Sequence, residues 1–277
     1  MSTAASLDLT PEQANRLADD IEARAAVDLY AAAPAALGLR TETVGAATLL
    51  LAPRVPASYF NRVIGLGGER PATAADVAAI LEVYRAAGVV GFWVHLTPTA
   101  RPPELPRWLE AAGFAFPPRR SWAKFLRKPE QVPSHDAAGF DARLARGDEA
   151  DAVARVACTA FGLPSVLADW FAAIVGRRGW HVYVVELDGK LIGTGSLFVS
   201  GATAWLGIGA TLPEYRQRGV QSALLAARIR AGAQLRCEML ATETGESIAD
   251  EPNPSLNNIR RAGFIQVCSR LNYAASA

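Results

Sequence analysis

The segment "WHVYVVELDGKLIGTGSLFVSG" constrains the fold more than any other part of the chain. Two apolar, β-branched runs flank the dipeptide Asp188-Gly189, a pair suited to the positive φ angles of a two-residue hairpin turn. Two antiparallel strands are therefore expected here. "ATAWLGIGATL" follows as a third strand, and its Gly207 and Gly209 suggest a bulge or a close backbone approach. Next comes "LPEYRQRGVQSALL", in which Val220, Ala223, Leu224 and Ala227 recur at the spacing of one helical face. "QLRCEMLATE" reads as a buried strand, with Cys237 in the core. "NPSLNNIRRAGF" reads as a short helix ended by Gly263, and "IQVCSRLNYA" as a last strand. Upstream, "FDARLARG" alternates like a strand. "DEADAVARVACTAFG" is expected to be a helix capped by Asp148 or a neighbour, with Ala152, Val156 and Ala160 on one face. "PSVLADWFAAIVG" is expected to be a second helix, with Pro164 near its start.

The earlier part of the chain ends in a similar rhythm. "AADVAAILEVYRAAG" reads as a helix, "VVGFWVHLTP" as a strand, "PPELPRWLEAAGF" as a helix ended by Gly113, and "SWAKFLRKP" as a strand. "EAAGFAF" echoes "RRAGFIQV", and "YRAAG" echoes "IRAGA". These matches fit two tandem copies of one α/β unit. "FLRKPEQVPSHDAAGF" shows no period and reads as a linker. The expected division is residues 1–127, a linker at 128–139, and residues 140–277.

Composition narrows the partners. With 277 residues and 51% hydrophobic content, the chain can bury one large core or two small ones. Its 28 Lys and Arg against 27 Asp and Glu give no charge footing for nucleic acid or an anionic membrane. No apolar run reaches membrane-spanning length, and the start lacks a signal-peptide pattern. Cys158, Cys237 and Cys268 are odd in number and scattered, and His95, His135 and His181 are far apart, so neither disulfides nor a metal is expected. A cytoplasmic protein fits, with a homodimer left open.

The chemistry concentrates at Arg216-Gln217-Arg218-Gly219-Val220-Gln221. A helix start leaves backbone N–H groups without intrahelical partners and carries a partial positive charge. A glycine lets a bulky anion approach, and two arginines add charge. Such a start can hold a phosphate or pyrophosphate; the alternative is a solvated, Arg-rich corner. The stretch resembles the acyl-CoA pyrophosphate loop of the GCN5-related N-acetyltransferases (GNAT), Gln/Arg-x-x-Gly-x-Gly/Ala, although Gln221 stands where Gly or Ala is usual. "LPEYR" resembles the family's lead-in and "NPSLNNIRRAGF" its second motif. The element order agrees from about Phe140 to Tyr273.

The resemblance implies an α/β mixed-sheet fold of two tandem acyl-CoA N-acyltransferase-like domains, the first degenerate, and acetyl-CoA as co-substrate without a metal. It implies that the amides around Gln217 to Val220 hold the pyrophosphate beside Arg216 and Arg218, with Gln221 and Ser222 next in the helix. Ile208, Gly209 and Ala210 would border a slot for pantetheine and polarise the thioester carbonyl, and Asn253 and Asn258 would bond the cofactor. The family's usual proton-donating tyrosine falls at Ile259. Ser255 is a candidate acid, with helix capping as its competing role. Glu243 is a candidate base, and Glu246, Asp250 and Glu251 follow as an acidic loop. His181 is a weaker base candidate. The implied reaction is acyl transfer to a primary amine, that of a small molecule given the neutral charge, with a protein N-terminus or lysine as the other acceptor left open. A non-catalytic acyl-CoA-binding or regulatory module and a nucleotide-phosphate binder are the alternatives. The upstream counterpart, "IGLGGERPATAADVAAI", has no Arg-x-x-Gly. Its "GLGGE" is not a dinucleotide fingerprint, and Thr73 is its expected cap.

Overall fold

The computed structural model describes residues 7–55, 57–115, 121–130, 139–248 and 253–275. It opens on α1 (Pro11–Ala31), whose start is fixed by a capping box between Thr10 and Gln13. Then come β1 (Arg40–Val44), β2 (Ala47–Leu51), β3 (Arg62–Ile64), α2 (Ala74–Ala86), β4 (Trp93–Leu96), α3 (Leu105–Ala111), β5 (Phe114–Ala115) and β6 (Trp122–Arg127). The second half contributes β7 (Ala142–Leu144), α4 (Ala150–Phe161), α5 (Ala168–Ala172), β8 (Trp180–Leu187), β9 (Lys190–Ser200) and β10 (Thr203–Thr211). It ends with α6 (Val220–Gln234), β11 (Met239–Gly245), α7 (Pro254–Arg261) and β12 (Ile265–Ala275). The expected linker lies largely outside the described residues, as do His135, Asp250 and Glu251.

The chain forms two compact units. The C-terminal unit takes in residues 125–243 and 257–265. Its strands run in the order β11-β10-β9-β8-β7. The hairpin turns at Asp188 and Gly189, both at positive φ (49° and 76°), and Leu187 faces Lys190 across it. β10 is antiparallel to β9 and parallel to β11, with α6 as the crossover. α6 packs close because β9 is glycine-rich: a Cβ on Gly193 would stand 2.4 Å from Val220. Val185, Ile192, Val220, Ala223 and Leu224 form the local core. The face expected of α4 is shifted: Val153, Val156 and Ala157 are buried, whereas Ala152 and Ala160 are only half-buried. The second expected helix is a 3-10 turn (Ser165–Leu167) leading into the short α5. Cys237 is buried but precedes β11.

The N-terminal unit takes in residues 8–124, 244–256 and 266–277. Its order is β1-β2-β3-β4-β12, with β5 on β12. It follows a similar plan with one antiparallel strand fewer: β1, β2 and β3, then α2 crossing to a parallel strand, β4. β12 follows the C-terminal helix in sequence, yet pairs antiparallel with β4 through Leu271, Asn272 and Tyr273. Leu49, Val63, Val94, Leu105 and Tyr273 lie in the core of this unit. Glu22 of α1, fully buried, receives Lys124 Nζ at 2.5 Å and Arg270 Nη1 at 2.5 Å. Burial pushes its carboxyl up, but the charges of Arg270, Lys124 and Arg62 outweigh this and hold it well below the usual carboxylate range. Among the described residues, no helix is long and apolar enough to cross a membrane.

Candidate functional site

The site in the C-terminal unit is built where β10 and β11 part. Their pairing runs from Thr203↔Met239 to Leu206↔Thr242 and ends there. Thr242 Oγ1 donates to Leu206 O at 2.8 Å, satisfying a carbonyl at the last rung. On its other side β10 breaks register with β9: Gly207 faces Ser196 and Ala210 faces Thr194, so Ile208 and Gly209 stand opposite Gly195 alone. This is a bulge. Its left-handed residue is Ile208 (φ 50°), not either flanking glycine. A β-branched residue is strained in that region.

Past β10 the chain turns through a 3-10 segment (Pro213–Tyr215). It then passes Gln217 (φ 62°) and enters α6 from Gly219 (φ 93°). Gly219 is the N-cap and provides no capping side chain, and the first turn of α6 holds no acid. The corresponding start in the N-terminal unit differs. There Thr73 and Asp76 form a capping box, and Arg70 makes two bonds to Asp76, at 2.9 and 3.2 Å. A carboxylate already sits at that helix start.

The side chains around the loop have definite partners. Arg216 Nη2 donates to Ala160 O at 2.9 Å, at the end of α4. Arg218 lies over the Tyr215 ring at 5.6 Å, and Lys190 lies over the same ring at 5.2 Å. Gln221 turns back to the strand, its Nε2 donating to Thr211 Oγ1 at 3.0 Å. Ser222 is half-buried in the first turn of α6.

Glu243 sits one residue beyond the last paired rung, half-buried, where Trp205 Nε1 donates to its Oε2 at 3.4 Å. Trp205 stands opposite Phe198 and makes an edge contact with Trp180. By strand alternation this is the face away from α6, which meets Gly193 and Gly195. Thus the helix start and the acid lie on opposite faces of the splayed sheet. His181 is half-buried on β8, and burial lowers its pKa.

Asn253 and Ser255 belong to the 244–256 segment of the N-terminal unit. Asn253 is the capping side chain of α7. Its Oδ1 accepts from Ser255 N at 3.0 Å, and its Nδ2 donates to Thr244 Oγ1 at 2.9 Å. Ser255 is exposed, and the capping role expected of its hydroxyl falls to Asn253. Asn258, in the C-terminal unit, accepts from Arg261. Ile259 is buried at 4% exposure and packs as core. Glu246 accepts from Gln266 and Ser269 rather than standing solvated.

Sequence reading missed two features. Arg228 of α6 is buried beneath the bulge, and only its position amid an apolar helical pattern marked it. In the N-terminal unit, a cavity of about 350 Å³ lies between the turn at Gly65, Gly68 and Glu69 and the residues Thr97, Thr99 and Arg101, with α1 as one wall. The sequence pattern alone gives no expectation for α1.

A mixed sheet with a crossover helix, a splayed strand pair, a bulge and an uncapped helix start defines an α/β protein of the acyltransferase fold. The comparisons place it further. Residues 154–251 match the profile described as "Acetyltransferase (GNAT) family". The fold aligns with a "GCN5-related N-acetyltransferase from Kribbella flavida" at TM-score 0.63 and 18% identity, over 93% of this chain and 96% of that one. A GCN5-related N-acetyltransferase from Sphaerobacter thermophilus aligns at 0.61 and 16%, over 82% and 79%. A "tandem GNAT protein from the clavulanic acid biosynthesis pathway" aligns at 0.59 and 19%, over 84% and 78%. No curated protein matches the sequence. The GNAT profile thus matches residues 154–251, within the C-terminal half, and the fold over most of the chain is that of solved GNAT structures.

Proposed function

We propose that this protein transfers an acetyl or other short acyl group from acyl-CoA to the primary amine of a small molecule, using the site in its C-terminal unit. The observation that carries the reading is the Gly219 helix start: an N-cap without a capping side chain, beside a strand pair that opens after Leu206 and Thr242. Free amides at a helix start suit the CoA pyrophosphate. The opening beside β10 suits the pantetheine arm. Backbone of the bulge, at Ile208 and Gly209, would polarise the thioester carbonyl as charge develops on its oxygen. The amine nitrogen attacks the carbonyl carbon, the C–S bond breaks, and CoA leaves as the thiolate. An ammonium must first lose a proton, and Glu243, on the face opposite α6, is the proposed base. The near-neutral net charge gives no electrostatic footing for nucleic acid and supports a small-molecule acceptor over it.

A second reading is a non-catalytic acyl-CoA-binding module. It is favoured by Ile259, buried where the family's usual acid stands. Thiol release separates the two. An enzyme liberates CoA thiol when offered a broad panel of small amines, whereas a module binds acetyl-CoA and liberates none.

A further inference from the structure

Arg228 is 2% exposed, and no carboxylate pairs with it among the described residues. Burying a lone guanidinium is costly unless its donors are well used. Here they are spent on backbone. Nε donates to Leu224 O at 3.0 Å. Nη1 donates to both Ser196 O and Gly207 O at 3.3 Å. Ser196 and Gly207 face each other as the last rung before the bulge. One cationic nitrogen therefore ties β9 to β10 at the point where the register breaks. Space for it has been left: a Cβ on Gly195 would stand 2.8 Å from Arg228 Cζ. The guanidinium also reaches under the bulge itself, with Nη2 3.6 Å from where a Cβ on Gly209 would be. Burial pushes the pKa of Arg228 down to about 10, which keeps it charged at neutral pH.

The bonded carbonyl has a consequence for chemistry. Gly207 C=O and Ile208 N–H belong to one planar peptide. A cation hydrogen-bonded to the carbonyl polarises that peptide and strengthens the N–H as a donor. The same contact holds the strand straight up to the strained Ile208.

We propose that Arg228 is a positioning residue for acyl transfer: it braces the Gly207–Gly209 bulge and polarises its backbone toward the thioester carbonyl, without touching the acyl group. The inference rests on the acyl-CoA reading of the site.

The test uses the full chain and acetyl-CoA labelled with ¹³C at the thioester carbonyl. In the wild type, binding should move the carbonyl resonance downfield. Arg228→Met should bind acetyl-CoA within about threefold of wild type, since the pyrophosphate is held elsewhere, yet show roughly half the displacement or less. Its kcat with an accepted amine should fall roughly tenfold at nearly unchanged KM for acetyl-CoA, with Arg228→Lys recovering part of the loss. Gly195→Ala keeps the arginine but crowds it. It should reduce the displacement too, so the inference stays testable if Arg228→Met does not fold. A folded Arg228→Met or Gly195→Ala chain that binds acetyl-CoA and shows the full wild-type displacement overturns the inference alone. Wild-type protein that does not bind acetyl-CoA overturns the acyl-CoA reading and this inference with it.

Discussion

Gly219 and Ile208 show how differently single residues could be read. Gly219 was legible as a residue without a side chain at the head of an apolar helical pattern, whereas its φ of 93° is set by the turn and was not. At the bulge the glycines pointed to the right place, but the left-handed residue is Ile208 between them. No local preference favours isoleucine there, so the conformation is set by neighbours, Arg228 among them. A lone arginine in an apolar pattern gives no sign of which carbonyls it will meet. Ser255 and Asn253 could each have capped α7, and only the geometry separates them. Two expectations belong at this scale. Glu243→Gln should lower kcat by roughly tenfold to a hundredfold, the scale of a lost general base, with the Kd for acetyl-CoA unchanged. Steady-state kinetics beside calorimetry would check this, and unaltered kcat would remove Glu243 from the mechanism. Asn253→Ala should cost about 1 kcal/mol of stability through the lost cap. A thermal melt unchanged from wild type would deny that role.

Elements were legible where periodicity and caps agreed. The Asp188-Gly189 hairpin, β10, α6 and α7 lie where the pattern put them, as does α2 with its Thr73 cap. α5 did not follow its pattern, because Pro164 starts a 3-10 turn that uses up much of the expected helix. At the entry to α4 the N-cap position falls on Glu149, the neighbour of Asp148. Glu149 Oε2 accepts from Arg146 N at 2.7 Å, and the carboxylate takes two bonds from Arg143. Hydrogen bonds from Arg143, against the opposing effect of burial, hold its pKa down to about 2. A carboxyl depressed on folding stabilises fully above its unfolded value near 4.5, and the gain is lost as pH falls toward 2. Glu149→Gln should therefore lower Tm at pH 7 by more than it does at about pH 3. A Tm difference that stays constant across this range would contradict the assignment.

At the scale of the whole molecule, the repeated rhythm in the sequence corresponds to a repeated plan. Each unit has a run of antiparallel strands, four in the C-terminal unit and three in the N-terminal one, then a crossover helix and a parallel strand. The short echoes fall on matching helices: "YRAAG" closes α2 while "IRAGA" lies in α6, and Gly113 and Gly263 follow α3 and α7 at φ 87° and 80°. The pairing of β12 with β4 could not be read from the sequence, because an apolar strand does not name its neighbour and this contact spans most of the chain. The two helix starts make the units chemically unequal. α6 begins on Gly219 with its first amides uncapped, whereas α2 begins on Thr73 and Asp76, with Arg70 already bound to the acid.

Calorimetric titration of the full chain with acetyl-CoA tests that inequality most directly. One site per chain is expected. Gly219→Val should abolish binding, since its side chain would stand at the proposed pyrophosphate position, at some cost in backbone strain at φ 93°. Asp76→Ala, at the other helix start, should leave both affinity and stoichiometry unchanged. Two sites in the wild type, or wild-type affinity in a folded Gly219→Val chain, would contradict the account.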